Sequence, residues 1–208
     1  MTRVLKAILV SCAAAVLAAC GTTQSTIFSS VGERESAMAS PSPTLAGTPA
    51  QATEFASRRY GYSLTLPAGW VGGQAFRTWD GTGAPGYDGL SVDRFSAPAG
   101  QLTVWAYAAP FDGSLSEWTA AAVRAAATDH PCPTQPATNE ELLIGKEAAR
   151  LLGSHCPPVG GLFVMTAVTV HGATGFVFAV QDPSRATSDE AVRSAFLELI
   201  TTVQFSGS

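Results

Sequence analysis

The stretch Tyr60-Gly61-Tyr62-Ser63-Leu64-Thr65-Leu66-Pro67-Ala68-Gly69-Trp70 alternates large apolar side chains with small or polar ones as far as Leu66. Successive side chains of a β-strand point to opposite faces, so this alternation predicts a strand with one buried face, closed by Pro67 and Gly69. Working outward, Leu90 to Phe95 and Leu102 to Ala108 read as further strands, separated by the turn residues Ala97-Pro98-Ala99-Gly100. Ser114-Leu115-Ser116-Glu117 has capping-box spacing, in which the serine oxygen accepts a backbone N–H and the glutamate reaches back to the cap. It predicts a helix to about Asp129, ending before Pro131, with Leu115, Trp118 and Ala122 on one face. Glu141 to Ile144 and Ala148 to Leu152 read as strands around Gly145. Gly161 to Val170 and Thr174 to Val180 form the longest apolar pair, with His171-Gly172 at a tight hairpin turn. A second box, Thr187-Ser188-Asp189-Glu190, precedes Val192, Ala195, Phe196, Leu199 and Val203, whose spacing of three and four marks the buried stripe of a helix.

This order lacks the regular strand–helix alternation that builds a parallel sheet, and predicts an α+β domain with helices packed on an antiparallel sheet. The Tyr60 to Trp70 opening, the mid-chain helix, the Ile144-Gly145-Lys146-Glu147-Ala148-Ala149 turn, the long hairpin and the final helix ending in Thr202-Val203-Gln204-Phe205 resemble the PsbP-like family. The resemblance covers about Arg58 to Phe205. It implies an α/β/α sandwich with a central antiparallel sheet. It implies no activity, because the family, which includes bacterial lipoproteins, consists mostly of non-enzymatic accessory or binding proteins.

The amino-terminal segment gives an address. Arg3 and Lys6 precede the apolar run Ala7 to Leu17, and Leu17-Ala18-Ala19-Cys20 follows. Charged, apolar and small residues in that order predict a signal peptide over 1–19 rather than a spanning helix, which needs about 20 apolar residues. Leu-Ala-Ala-Cys resembles the bacterial lipobox, which implies lipidation of Cys20 with acyl chains such as palmitate. Residues 20–55, rich in Ser, Thr, Pro and Ala, read as a flexible lipid-anchored tether, because such a composition buries too little surface to offset its ordering entropy. The globular domain is expected over 56–206. The expected location is the extracytoplasmic face of the cell membrane.

The full chain carries a formal net charge of −4, and losing Arg3 and Lys6 makes the mature chain more acidic. Arg58-Arg59 is the only basic doublet, which argues against nucleic acid as a partner. Of the four cysteines, Cys12 leaves with the signal and Cys20 takes the lipid. Cys132 and Cys156 remain, and in an oxidising compartment they are expected to pair as a disulfide. His130 and His155 beside them raise a zinc reading, set aside because adjacent residues such as His155-Cys156 rarely converge on one ion. No metal site and no cofactor is expected.

Gly81-Thr82-Gly83-Ala84-Pro85-Gly86 spells a dinucleotide fingerprint, but no helical pattern follows to meet a pyrophosphate. The surrounding loop is the candidate binding surface. Arg77, Trp79, Asp80, Tyr87 and Asp88 combine aromatic contact area with charge, and the alternative reading has Trp79 fold back to cap the core, as aromatics beside a glycine loop often do. Asp80, Asp88 and Asp93 do not have the spacing of a calcium loop. No Gly-x-Ser-x-Gly occurs, and no catalytic residues are assigned. The expectation is a membrane-anchored binding or accessory protein whose partner is a small molecule, a lipid or an envelope protein. The alternative is an envelope hydrolase built on His130, His155 or His171.

Overall fold

The alternation around Tyr62 becomes strand β2 (Tyr62–Leu66), with Tyr62, Leu64 and Leu66 buried. The computed structural model describes residues 51–81, 90–129, 135–156 and 162–207. Strand β1 (Thr53–Ala56) pairs antiparallel with β2, Phe55 opposite Leu64, and β10 (Gln204–Phe205) pairs with its other edge. β1 lies mostly within the stretch expected to be tether. Its one inward side chain, Phe55, is buried and meets Phe95 edge-on at 4.8 Å. The folded domain therefore includes Thr53 to Phe55, and its boundary moves to the amino-terminal side of residue 56.

A second antiparallel sheet has the order β3 (Val71–Gly73), β4 (Asp93–Ser96), β5 (Thr103–Pro110), β9 (Thr174–Gln181), β8 (Leu162–His171), β7 (Glu147–Cys156), β6 (Thr138–Ile144). The four strands read between Glu141 and Val180 are all present, three of them longer than expected and β8 shifted by one residue at equal length. The strand expected from Leu90 begins only at Asp93. His171 is the last residue of β8 rather than part of the turn, which is formed by Gly172 and Ala173 between the paired residues His171 and Thr174.

Alternation along these strands separates two cores. Val104, Ala106 and Ala108 of β5 and Phe176, Phe178 and Val180 of β9 face β2 and helix α2 (Asp189–Ile200), whose Val192, Phe196, Leu199 and Ile200 are buried against them. The next residues along, Ala109 and Val177, face helix α1 (Leu115–Asp129) with Val168, Trp79 and Trp118. α1 starts with the expected capping box: Ser114 N–H donates to Glu117 Oε2 at 2.8 Å, and Glu117 N–H to Ser114 Oγ at 3.3 Å. The second helix is capped one residue later than expected, by Ser188, whose Oγ accepts from Ala191 N–H. Thr187 is engaged elsewhere, donating its N–H to Asp182 Oδ2 at 2.7 Å.

A buried polar network holds the two sheets in register. Tyr62 O–H donates to Asp93 Oδ2 at 2.8 Å, and Ala75 N–H donates to Asp93 Oδ1 at 2.7 Å. Tyr60 O–H donates to the Ser91 carbonyl at 2.5 Å and accepts from Trp79 N–H at 3.0 Å. Asp93 is fully buried, so these donors replace the water that its carboxylate gives up. Burial pushes the Tyr62 phenol well above its ordinary pKa, and the neighbouring Asp93 charge pushes the same way.

Candidate functional site

The β6–β7 turn is two residues long, Gly145-Lys146, between the paired residues Ile144 and Glu147. Both turn residues have positive φ, +57° and +76°, the backbone of a tight hairpin that follows the strand twist. At Gly145 a side chain is also excluded sterically, since a Cβ would lie 2.8 Å from the Phe205 ring and 3.2 Å from the Val203 carbonyl oxygen. The glycine lets the chain after α2 run close beside the turn.

An open groove of about 890 Å³ forms there, and its lining includes Lys146, Glu147, His171, Thr201, Thr202 and Phe205. Register brings two of these together. Ala149 pairs with Thr169, so Glu147 and His171, two residues further out on each strand, sit side by side. His171 Nδ1 is 2.9 Å from Glu147 Oε1, and its ring stacks on Phe205 at 4.9 Å and 15°. Its Nε2 faces the Gly207 carbonyl oxygen at 3.4 Å.

A histidine oriented by a carboxylate is half of a nucleophile-activating arrangement, and the other half needs a hydroxyl on Nε2. Here Nε2 meets a carbonyl oxygen. The nearby hydroxyls are spent on the end of α2: Thr201 Oγ1 donates to the Leu197 carbonyl at 2.7 Å and Thr202 Oγ1 to the Leu199 carbonyl at 2.7 Å, while accepting from Thr65 N–H at 3.0 Å. Among the described residues, the hydrogen-bond partner of His171 Nε2 is the Gly207 carbonyl rather than a hydroxyl. Sequence reading singled out His171 but not Glu147, Thr202 or Phe205. Only the register of β7 on β8 and the return of the chain after α2 bring these together.

The other candidates disperse. His155 Nε2 lies 3.2 Å from Asp189 Oδ2, an exposed contact between β7 and the start of α2. Cys156 is fully buried at the end of β7. His130 and Cys132 lie outside the described residues. Among the described residues, no three His, Cys, Asp or Glu side chains converge as metal ligands would.

In the candidate binding loop, Arg77 and Asp80 are exposed, and Tyr87 and Asp88 lie outside the described residues. Trp79 is buried. Its ring meets Tyr107 edge-on at 5.0 Å and lies 6.5 Å from Trp118, closing the core beneath α1. That position is the core-packing alternative for Trp79 rather than the contact surface: the gap beside Tyr107 and Trp118 removes more of the indole from water than a loop position would.

No family model and no curated protein sequence matches the chain. Among solved structures, the cyanobacterial PsbP (CyanoP) of Synechocystis sp. PCC 6803 is similar, with a TM-score of 0.49 and 14% identity over 79% of this chain and 97% of that one. A protein of Bacteroides thetaiotaomicron is similar with a TM-score of 0.43 and 16% identity over 76% of this chain. The match spans 50% of that longer protein.

Proposed function

We propose that this chain is a lipoprotein anchored through Cys20 on the extracytoplasmic face of the membrane, carrying a PsbP-like α/β/α domain that binds a partner rather than transforming one. Its occupant is a small molecule or an envelope protein. The observation that carries the binding reading is the groove beside His171, where a carboxylate-oriented imidazole faces a carbonyl oxygen and the neighbouring threonine hydroxyls are committed to the end of α2. The anchor is supported by Leu17-Ala18-Ala19-Cys20 and the polar stretch after it. No helix among the described residues is long and apolar enough to cross a membrane. We also propose a Cys132–Cys156 disulfide, supported by the full burial of Cys156 and by the oxidising compartment the anchor implies.

Metabolic labelling with an alkyne palmitate tests the anchor: label on the native chain that is lost in Cys20→Ala supports it, and equal labelling overturns it. Thiol counting in unreduced protein tests the bridge, since a free thiol at Cys132 and Cys156 removes it. Capture from the native envelope tests the binding reading, with a partner recovered by the native chain and lost when His171→Ala and Lys146→Glu are combined. The Glu147–His171 pair favours one second reading, a hydrolase. Turnover of p-nitrophenyl esters that disappears in His171→Ala would replace binding with that activity.

A further inference from the structure

Phe76 is 74% exposed, more than any other large apolar side chain among the described residues. Its backbone is nonetheless held from several sides. Phe76 N–H and Arg77 N–H both donate to the Leu90 carbonyl at 2.9 Å, and the Phe76 carbonyl accepts from Arg59 Nη2 at 2.8 Å. The preceding residue is fixed by Ala75 N–H on Asp93, and Trp79 by its N–H on Tyr60. A phenyl ring held outward by five hydrogen bonds around its segment is presented by the fold, since burying it elsewhere would release about 1.5–3 kcal/mol.

Three arginines lie close by in sequence, with the exposed Asp80 three residues after Arg77. Arg58 and Arg59 occupy the β1–β2 turn, Arg58 N–H donates to Gln74 Oε1 at 3.0 Å, and Arg77 follows Phe76; all three arginines are exposed. Leu90, 42% exposed, adds apolar surface beside them. Guanidinium groups pair with phosphate oxygens through parallel N–H donors, and an aromatic ring between them enters the boundary between headgroups and acyl chains. We propose that Phe76, Leu90, Arg58, Arg59 and Arg77 form a surface that docks this domain on an anionic lipid bilayer.

Chain length suits this occupant. Thr53, the first residue of β1, follows Cys20 by 33 positions, and a flexible tether of that length would have a root-mean-square span of roughly 30 Å. Tethering holds the patch within reach of the bilayer, so a surface of low intrinsic affinity is occupied through effective concentration. This step rests on the lipid-anchor reading, whereas the patch itself does not.

The test uses the chain from residue 21 onward, without apolar leader or lipid, co-sedimented with vesicles of phosphatidylcholine alone or mixed equally with phosphatidylglycerol. Binding is expected only to the anionic vesicles, falling as salt is raised. Arg58→Gln combined with Arg59→Gln should weaken it roughly 25-fold, about fivefold for each charge. Phe76→Ser should weaken it roughly tenfold through lost ring burial. Circular dichroism of each variant checks folding, and Arg58→Gln alone provides a variant that leaves the Arg59 bond intact. Absence of anionic-lipid binding overturns the proposal, as does binding indifferent to these substitutions. If Phe76→Ser instead abolishes recovery of an envelope protein while vesicle binding is unchanged, the patch belongs to that protein. Since this chain carries no lipid, failure here leaves palmitate labelling of Cys20 as a separate question.

Discussion

Replacing Tyr62 by Phe removes one oxygen from a site buried between the two sheets. Tyr62 is 1% exposed and Asp93 fully buried, and Tyr62 O–H is the donor at 2.8 Å to Asp93 Oδ2. Oδ1 keeps Ala75 N–H at 2.7 Å. The phenyl ring retains its edge-on contact with Phe178, at 5.4 Å in the native chain, so little apolar contact is lost. What changes is the loss of a hydrogen bond to a charged group and the desolvation left on Oδ2, together about 3 kcal/mol. For a domain of this size that lowers Tm by roughly 6–12 °C. Urea unfolding followed by tryptophan fluorescence measures it, with an unchanged slope showing that the unfolded state is the same. Combining Tyr62→Phe with Asp93→Leu separates the bond from the ring, and the coupling between the two should be about 1–2 kcal/mol. Alkaline pH gives a second reading. The Tyr62 pKa is raised in the folded state, so its contribution is complete below about pH 10, where an unfolded tyrosine begins to ionise, and declines as pH rises through and beyond that value. Tyr62→Phe should flatten that decline. A stability loss below about 0.5 kcal/mol with no coupling to Asp93 would refute the account of this network.

Asp182 gathers the β9–α2 connection, accepting from Ser184 N–H at 2.8 Å, Ser184 O–H at 2.5 Å, Arg185 N–H at 3.0 Å and Thr187 N–H at 2.7 Å. Burial raises its pKa, but the Ser184 and Thr187 donors outweigh it and hold the carboxyl at about 2. Its contribution should be complete above about pH 4 and be lost as pH falls from there through about 2, a segment of the acid unfolding curve missing in Asp182→Ala. At neutral pH that variant should lose about 2 kcal/mol by urea unfolding. Gly175→Ala would place a Cβ 2.4 Å from the Trp118 ring, so the indole must shift off the Phe176 carbonyl; about 2 kcal/mol of stability and a red-shifted emission are expected. At Lys146, with φ of +76°, Lys146→Gly relieves left-handed strain and should gain about 0.5 kcal/mol in thermal unfolding, whereas Lys146→Val should lose stability.

Legibility followed the strength of the local pattern. The β8–β9 hairpin and α2 each carry a run of apolar residues at one period, long enough to outweigh chance, and both appear in the fold. Strands β1, β3 and β10 are four, three and two residues long, too short to show any period. Gly72 illustrates why. A Cβ there would lie 2.8 Å from the Phe55 ring, so the strand packs by lacking a side chain, and a glycine in sequence signals a loop as readily. The Thr187 box failed because Asp182 competes for the Thr187 amide, a contact spanning five residues of irregular chain. For the site, His171 was visible as a residue type, but its partner Glu147 is 24 positions away and adjacent only through strand register. Trp79 was legible as an aromatic with two places open to it, binding loop or core, because the space that decides between them is formed by Tyr107 and Trp118.

The same pattern that builds the core also governs what the surface presents. Tyr60 and Tyr62 point inward from one turn and strand, and between them their hydroxyls fix Trp79 N–H directly and Ala75 N–H through Asp93. Residues 76 to 78 thus lie between two anchors that are both buried, and Phe76 has no route inward without breaking the charge-assisted Ala75–Asp93 bond on one side or the Trp79–Tyr60 bond on the other. The exposure of Phe76 is therefore a consequence of the Tyr60-Gly61-Tyr62 sequence as much as of Phe76 itself. Loosening the network at Tyr62 should release the phenyl ring from its fixed outward position, and with it the alignment with Arg59 that makes the patch both apolar and cationic. Stability and membrane docking would then fall together in Tyr62→Phe, but docking alone would fall in Phe76→Ser, whose side chain takes no part in the core.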